Sequence, residues 1–110
     1  MRAWFASHVV PRTTLWLAEL DGGALAGLLV LDDGWVEQLY VDPAHTGQGL
    51  GSSLLSRAKR DCPGGLQLWS FASNSRALRF YAHRGFSEVR RTDGRDNEER
   101  APDVLLRWAG

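Results

Sequence analysis

Apolar residues occur in short blocks along most of this chain, and turn-forming residues separate the blocks. Two apolar runs, residues 15–20 and 24–31, flank a glycine-containing connection, and this pattern predicts a β-hairpin. A second glycine-containing turn leads into a third strand over residues 35–41. The first half of the chain therefore predicts three successive antiparallel strands.

The second half of the chain combines helical and extended patterns. Residues 52–60 have apolar side chains at helical spacing, and a Pro-Gly-Gly sequence ends this predicted helix. An apolar strand over residues 66–72 precedes a second helix, for which Asn74 or Ser75 supplies the N-terminal cap. Gly85 is predicted to close that helix at its C′ position.

A last hairpin is predicted over residues 86–92 and 104–108, around a polar loop. The expected fold class is therefore mixed α/β (α+β), with a mostly antiparallel sheet and helices on both of its faces. The length of 110 residues fits a single domain over residues 1–110.

Composition narrows the possible classes of protein. The formal net charge is zero, so the chain lacks the basic field expected of a module that binds nucleic acid or a membrane surface. One cysteine cannot form an internal disulfide, which favours a reducing, cytoplasmic compartment. No apolar run approaches the ~18–20 residues that span a bilayer. The histidines lack metal-ligand spacing to a cysteine or carboxylate, so we expect no metal.

Three alternate glycines lie where the third strand passes into the first helix: Gly47, Gly49 and Gly51. Bare amides at a helix N-terminus bind anions, so residues 47–52 are predicted to hold a phosphate-bearing ligand. The spacing excludes a Walker A loop, which needs a lysine after its second glycine. It also excludes the dinucleotide fingerprint, whose glycines fall at relative positions 1, 3 and 6. A plain strand-to-helix turn is the alternative for the glycines alone.

A second segment, residues 74–86, contains Asn-x-x-Ala-x-x-Phe-Tyr-x-x-x-Gly-Phe. Together with Val-x-Pro-x-x-Thr-x-x-Gly-x-Gly over residues 41–51, it resembles the GNAT superfamily of acyl-CoA-dependent N-acyltransferases. The resemblance covers roughly residues 14–108. Thr46 departs from the family pattern, which usually has Arg or Gln at that position, so backbone amides are expected to hold most of the phosphate charge.

The resemblance implies acetyl-CoA as co-substrate and N-acetyl transfer to a primary amine by direct attack in a ternary complex. The strand before the glycine loop is expected to pair with the pantetheine arm through its backbone. The expected cofactor contacts are Leu39, Tyr40, Val41, Thr46, Gly47, Gln48, Gly49, Leu50, Gly51, Ser52, Asn74, Ala77 and Tyr81. For Asn74, capping its own helix is an alternative role. A non-catalytic acyl-CoA-binding or regulatory module is the alternative function.

Two residues are the expected catalytic groups. Glu37 shares a strand face with Trp35 and Leu39 in a regular alternation, so desolvation is expected to raise its pKa toward that of a general base. Its alternative role is to bind a positive substrate group or a neighbouring arginine. Tyr81 matches the family tyrosine that faces the thioester sulfur, and its alternative role is core packing with Phe80 and Phe86.

Two further expectations concern the ends of the domain. The loop over residues 92–103 contains five acidic residues and two arginines, and Glu98, Glu99 or Asp103 is expected to select an amine-bearing acceptor. A solvated turn is the alternative. Residues 1–10 resemble the remnant of the second N-terminal helix of the family, with the first strand and first helix missing. The apolar surface left by those elements predicts a homodimer.

Overall fold

Seven strands and two α-helices are formed by residues 3–10, 13–47 and 49–110, which are the residues described in this computed structural model. They belong to two compact units, Met1–Pro63 and Gly64–Gly110. The elements are β1 (Ala3–Val10), β2 (Thr13–Leu20), β3 (Leu25–Asp32), β4 (Trp35–Val41), a short 3-10 helix (Pro43–His45), α1 (Leu50–Asp61), β5 (Leu66–Phe71), α2 (Ser75–Ala82), β6 (Ser87–Thr92) and β7 (Asp103–Trp108). The mixed α/β class and the mostly antiparallel pairing are confirmed.

The N-terminal segment differs from its predicted helical form. β1 pairs antiparallel with β2 over its whole length, from Ala3 opposite Leu20 to Val10 opposite Thr13. The segment is rich in aromatic and β-branched residues, which pack well on a pleated surface. The expectation of a helix remnant was therefore wrong, because pairing with β2 decides the conformation. The connecting residues 11 and 12 lie outside the described part of the chain.

The core of the first unit lies between α1 and one face of its four-stranded sheet. Leu54, Leu55 and Ala58 are buried on the inner side of α1, as their helical spacing predicted. On the sheet, Ala18 and Leu29 likewise have no exposed surface. Burial of this apolar surface supplies most of the force that holds the helix on the sheet.

Gly27 sets how closely α1 approaches β3. A Cβ atom at this position would lie 2.8 Å from the Tyr40 carbonyl oxygen and 3.2 Å from Leu54 Cδ1. Side chains in the C-terminal half of α1 also make polar contacts with β1 and β2. Trp16 donates from Nε1 to Asp61 at 2.7 Å, and the Arg57 guanidinium lies 4.0 Å from the centre of the Phe5 ring.

The second unit is a three-stranded antiparallel sheet in which β7 lies between β5 and β6. Val104 and Leu106 of β7 and Leu66 and Leu68 of β5 are buried. The predicted hairpin of β6 and β7 is confirmed. Its register shifts once, so that Val89 of β6 is an extra residue with 55% of its surface exposed.

Replacing Gly27 by alanine is expected to destabilise the first unit by about 1–3 kcal/mol, because the added methyl group clashes with backbone and with Leu54. Gly64→Ala is the matched control, since its Cβ would meet nothing within 4 Å. Denaturant unfolding measures both variants. Equal stability of Gly27→Ala and the wild type would contradict the close approach of helix and sheet.

Candidate active site

The connection from β4 to α1 is fixed by hydrogen bonds that start at Asp42. Its backbone N–H donates to the Ala26 carbonyl at 2.7 Å, and its Oδ1 accepts from the Ala44 amide at 2.9 Å. The Thr46 hydroxyl then donates to the Pro43 carbonyl at 3.1 Å. The Thr46 hydroxyl could donate to a phosphate only by breaking its bond to the Pro43 carbonyl. This supports the expectation that backbone groups hold the phosphate.

The glycines after Thr46 turn the chain through left-handed conformations. Gly47 has a φ of 81° and Gly49 a φ of 77°, and a Cβ on either residue would meet nothing within 4 Å. Their surroundings in the protein therefore leave room for a ligand beside the backbone. Gln48, an expected cofactor contact, lies outside the described residues.

The first turn of α1 has the features of an anion site. Its N-cap, Gly49, has no side chain to cap the helix, and the helix begins with a bond from the Ser53 amide to the Gly49 carbonyl. The amides of Leu50 and Gly51 precede that bond and have no acceptor within the helix. Lys59 and Arg60 in the last turn complement the negative end of the helix dipole. The first turn contains no acidic residue, so no side-chain charge there offsets the positive end or repels an anion.

Glu37 is not in the environment that its sequence position predicted. The β3–β4 register passes from Val30 opposite Gln38 to Leu31 opposite Val36, so Glu37 is a bulged residue without a partner on β3. The bulge interrupts the alternation that was expected to group Glu37 with Trp35 and Leu39. Glu37 is exposed to solvent, so the prediction that burial would desolvate its carboxylate was wrong.

The three residues expected to pair with the pantetheine arm lie at the end of β4. Leu39 and Val41 are half-buried, and 41% of Tyr40 is exposed.

Asn74 caps α2, as one of its predicted roles required. Its Oδ1 accepts from the Ala77 amide at 3.1 Å, so the N–H of Ala77, an expected cofactor contact, is already engaged. The cap does not use the Nδ2 group of Asn74, which can donate a hydrogen bond to a ligand carbonyl.

Tyr81 is held by the termination of α2. The Phe86 amide donates to the Tyr81 carbonyl at 3.1 Å and the Gly85 amide donates to the Ala82 carbonyl at 3.2 Å. This is the Schellman pattern, with Gly85 at C′ and a φ of 90°, and it confirms the predicted helix end. The Tyr81 ring packs edge-on against Phe80 and Phe86, with ring centres 5.1 and 5.3 Å away.

Burial raises the pKa of Tyr81 from its ordinary value near 10 to about 12. The phenol is therefore protonated at neutral pH. Because the folded state keeps this proton more tightly than the unfolded state, its contribution to stability is complete below about pH 10 and is lost as pH rises through about 12. The shift corresponds to about 2–3 kcal/mol.

Part of the acidic loop between β6 and β7 is used for its own structure. Asp103 accepts from the Thr92 hydroxyl and, at 3.3 Å, from Asn97 Nδ2. Asn97 also donates to the Ala101 carbonyl at 2.7 Å. The expected acceptor contact by Asp103 thus competes with these bonds, whereas Glu98 and Glu99 have exposed side chains.

Two residues that order these segments were not anticipated. Asp42 orders the short 3-10 helix that leads into residues 47–52, and Asn97 orders the acidic loop. The Asp-Pro sequence at residues 42–43 is a turn-initiation signal that would have pointed to Asp42. Asn97 has no comparable local signal, because its partners lie four and six residues ahead.

The candidate residues fall into two groups. Glu37 and residues 47–52 belong to the first unit, whereas Asn74, Tyr81 and the acidic loop belong to the second. That both groups contact one acyl-CoA molecule stays a prediction.

Within the described ranges, no three His, Cys, Asp or Glu side chains form a cluster that could hold a metal ion. Neither helix there has the length and apolar character that crossing a bilayer requires.

Comparison with known proteins gives residues 47–52 and α2 a family context. The model of the acetyltransferase (GNAT) domain matches residues 11–88. A peptidyl-lysine N-acetyltransferase, YjaB of Salmonella typhimurium, is 31% identical over 87 residues, which cover 79% of this chain and 59% of the relative. The chain thus spans about three fifths of the length of that curated relative.

Solved structures agree with that match. The apo form of YjaB from Escherichia coli has a TM-score of 0.77 and 27% identity, covering 87% of this chain and 65% of that one. A GNAT family acetyltransferase from Elizabethkingia anophelis with acetyl-CoA bound has the same fold, with a TM-score of 0.85, 16% identity and 98% coverage of both chains. The family model covers more than half of the sequence and contains both motif segments. The chain therefore belongs to the GNAT acetyltransferase family.

Proposed function

We propose that this protein transfers an acetyl group from acetyl-CoA to a primary amine by direct attack. The principal support is the segment of residues 47–52, the proposed phosphate loop. Two left-handed glycines and the first amides of α1 leave its backbone accessible to a diphosphate. Family membership adds the chemistry. The peptidyl-lysine activity in the name of YjaB is consistent with an amine acceptor.

The proposal assigns hydrogen-bonding partners to each part of the cofactor. The amides of residues 47–52 would bind the diphosphate, and the Nδ2 group of Asn74 would donate to the pantetheine arm. The backbone of Leu39, Tyr40 and Val41 would pair with that arm and orient the thioester. An amide directed at the developing oxyanion is worth about 10²-fold or more in rate.

The reaction needs no acyl-enzyme. The amine nitrogen forms a bond to the thioester carbon, the carbon–sulfur bond breaks, the amine loses one proton, and the departing CoA thiolate takes up a proton from solvent. Glu37 is the proposed acceptor of the amine proton, through water, because its exposed carboxylate lies two residues before the cofactor-pairing segment. Binding a cationic group of the acceptor is its alternative role.

Tyr81 is the proposed partner of the leaving sulfur. A phenol with a pKa of about 12 holds its proton more tightly than a thiol with an ordinary pKa of about 8.5. Complete proton transfer from Tyr81 to the thiolate would cost about 5 kcal/mol. Hydrogen-bond donation, which stabilises the departing sulfur while the proton stays on the phenol, is therefore the role that its environment favours.

The acceptor, the assembly and the location are further parts of the proposal. Glu98 and Glu99 would attract a cationic amine. The protein would act as a homodimer, in line with exposed apolar side chains such as Trp4, of which 52% is exposed. A cytoplasmic location agrees with the single cysteine.

The direct test of the proposed reaction is a panel of amines with acetyl-CoA, with release of free CoA thiol as the readout. Amine-dependent thiol release is the expected result, with lysine peptides and polyamines among the acceptors tried. CoA binding without turnover on any amine would instead favour the non-catalytic acyl-CoA-binding module.

Gly49→Ala is expected to weaken CoA binding at least about tenfold, because the methyl group strains a left-handed residue at the phosphate loop by about 1–3 kcal/mol and occupies the ligand's space. Gly22→Ala is the control, since Gly22 is also left-handed with an open Cβ position but lies in the β2–β3 turn. Calorimetric titration with CoA measures both. Wild-type affinity in Gly49→Ala would count against the loop as the phosphate site.

Tyr81→Phe is expected to lower kcat by about 10²-fold with little change in the KM for acetyl-CoA, because only the hydrogen bond to sulfur is lost. The packing between Phe80 and Phe86 is retained. Ionisation of Tyr81 lowers the stability of the wild type between about pH 10 and about 12. Tyr81→Phe should therefore lose less stability than the wild type over this pH range. Full turnover in Tyr81→Phe would assign the residue to packing alone.

Replacing Glu98 and Glu99 together by glutamine is expected to raise the KM for a cationic amine about three- to tenfold, through loss of two exposed attractive charges. The KM for acetyl-CoA should not change. Replacing Asp93 and Asp96 by asparagine provides a control of equal charge in the same loop. An identical effect of both pairs would indicate a general field and not a contact by Glu98 and Glu99.

A further inference from the structure

β1 and β6, the first and last strands in the order β1-β2-β3-β4-β5-β7-β6, differ in how their free edges are protected. β6, at the margin of the second unit, has six residues, of which Glu88, Arg90 and Arg91 are charged, and a bulge at Val89 interrupts its pairing. β1, at the margin of the first unit, has eight residues and an uninterrupted register with β2. Its sequence contains no Lys, Arg, Asp, Glu or Pro.

An outermost strand presents a row of backbone donors and acceptors that another strand can pair with. Charged side chains, prolines, bulges and short length are the usual protections against such pairing. β6 has three of these four protections, whereas β1 has none of them. Among its side chains, 52% of Trp4 and 75% of Val9 are exposed, so both are accessible to the side chains of an added strand. β1 is therefore suited to accept an added strand.

We propose that the added strand is β1 of a second copy of this chain, paired antiparallel about a two-fold axis. Such an interface is self-complementary, since each residue pairing in one direction recurs in the other. The zero net charge of the chain removes long-range repulsion between copies. This inference rests on the proposed homodimer and is independent of acetyl transfer.

The sequence of β1 suits its own pairing. With the axis at Ser7, Phe5 of one copy lies opposite Val9 of the other, and this aromatic–β-branched combination stabilises antiparallel pairs. His8 lies opposite Ala6 in the same register, so the two histidines do not face each other directly. A neutral strand of this kind has no feature that would favour a charged peptide over a second β1.

The test compares two valine-to-lysine variants, one on each outermost strand. Val9→Lys introduces a charge on β1, and Val89→Lys makes the same change on β6, where 55% of the valine surface is exposed. Sedimentation velocity over a concentration series is expected to find a dimer in the wild type and in Val89→Lys. Val9→Lys should raise the dimer dissociation constant at least about tenfold. Circular dichroism checks that both variants are folded.

Three results would overturn the proposal in distinguishable ways. A monomeric wild type up to ~100 μM, far above the dissociation constants of stable dimers, would refute both the homodimer and the β1 interface. Equal dimerisation by Val9→Lys and the wild type would refute the interface alone. Hydrogen exchange of the wild type gives a test without any variant, because dilution should speed exchange at β1 amides, and exchange independent of concentration would refute the pairing.

Discussion

The site depends on one constraint: backbone amides that are to bind a ligand must be ordered by groups other than themselves. Asp42 and Thr46 contribute to this between β4 and α1, because their side chains bond to neighbouring backbone and order the turn that leads into residues 47–52. The glycines that follow turn the chain without adding side chains. The packing of α1 at Gly27 then fixes the helix whose first turn completes the loop. A stable core thus supports an exposed, pre-organised backbone, which lowers the ordering cost of binding.

Tyr81 illustrates how the same structural device can position a side chain and adjust its chemistry. The Schellman termination at Gly85 brings Phe86 against the Tyr81 ring, and the resulting burial raises the pKa of the phenol. That environment favours donation of a hydrogen bond over loss of the proton. The two sequence-based roles of Tyr81, aromatic packing and contact with the leaving sulfur, are therefore compatible, because packing determines the protonation state in which the phenol would act.

Features encoded within a few residues were predictable from the sequence. The Asn74 cap, the Gly85 helix end and the buried face of α1 each depend on local spacing, and each was confirmed. Features that depend on a distant partner were not predictable. Pairing with β2 determines that residues 3–10 form a strand, and the register of β3 against β4 determines that Glu37 bulges outward. Asp103 likewise acquires its partners only when Asn97 closes the acidic loop.

The central claim is that the backbone of residues 47–52 holds the diphosphate of CoA. Amide resonances followed by nuclear magnetic resonance test it most directly when CoA is compared with pantetheine, which lacks the diphosphate. CoA should shift the amides of Gly49, Leu50 and Gly51 strongly, and pantetheine should leave them nearly unchanged. Equal shifts with both compounds, or CoA-induced shifts confined to other segments, would contradict the claim.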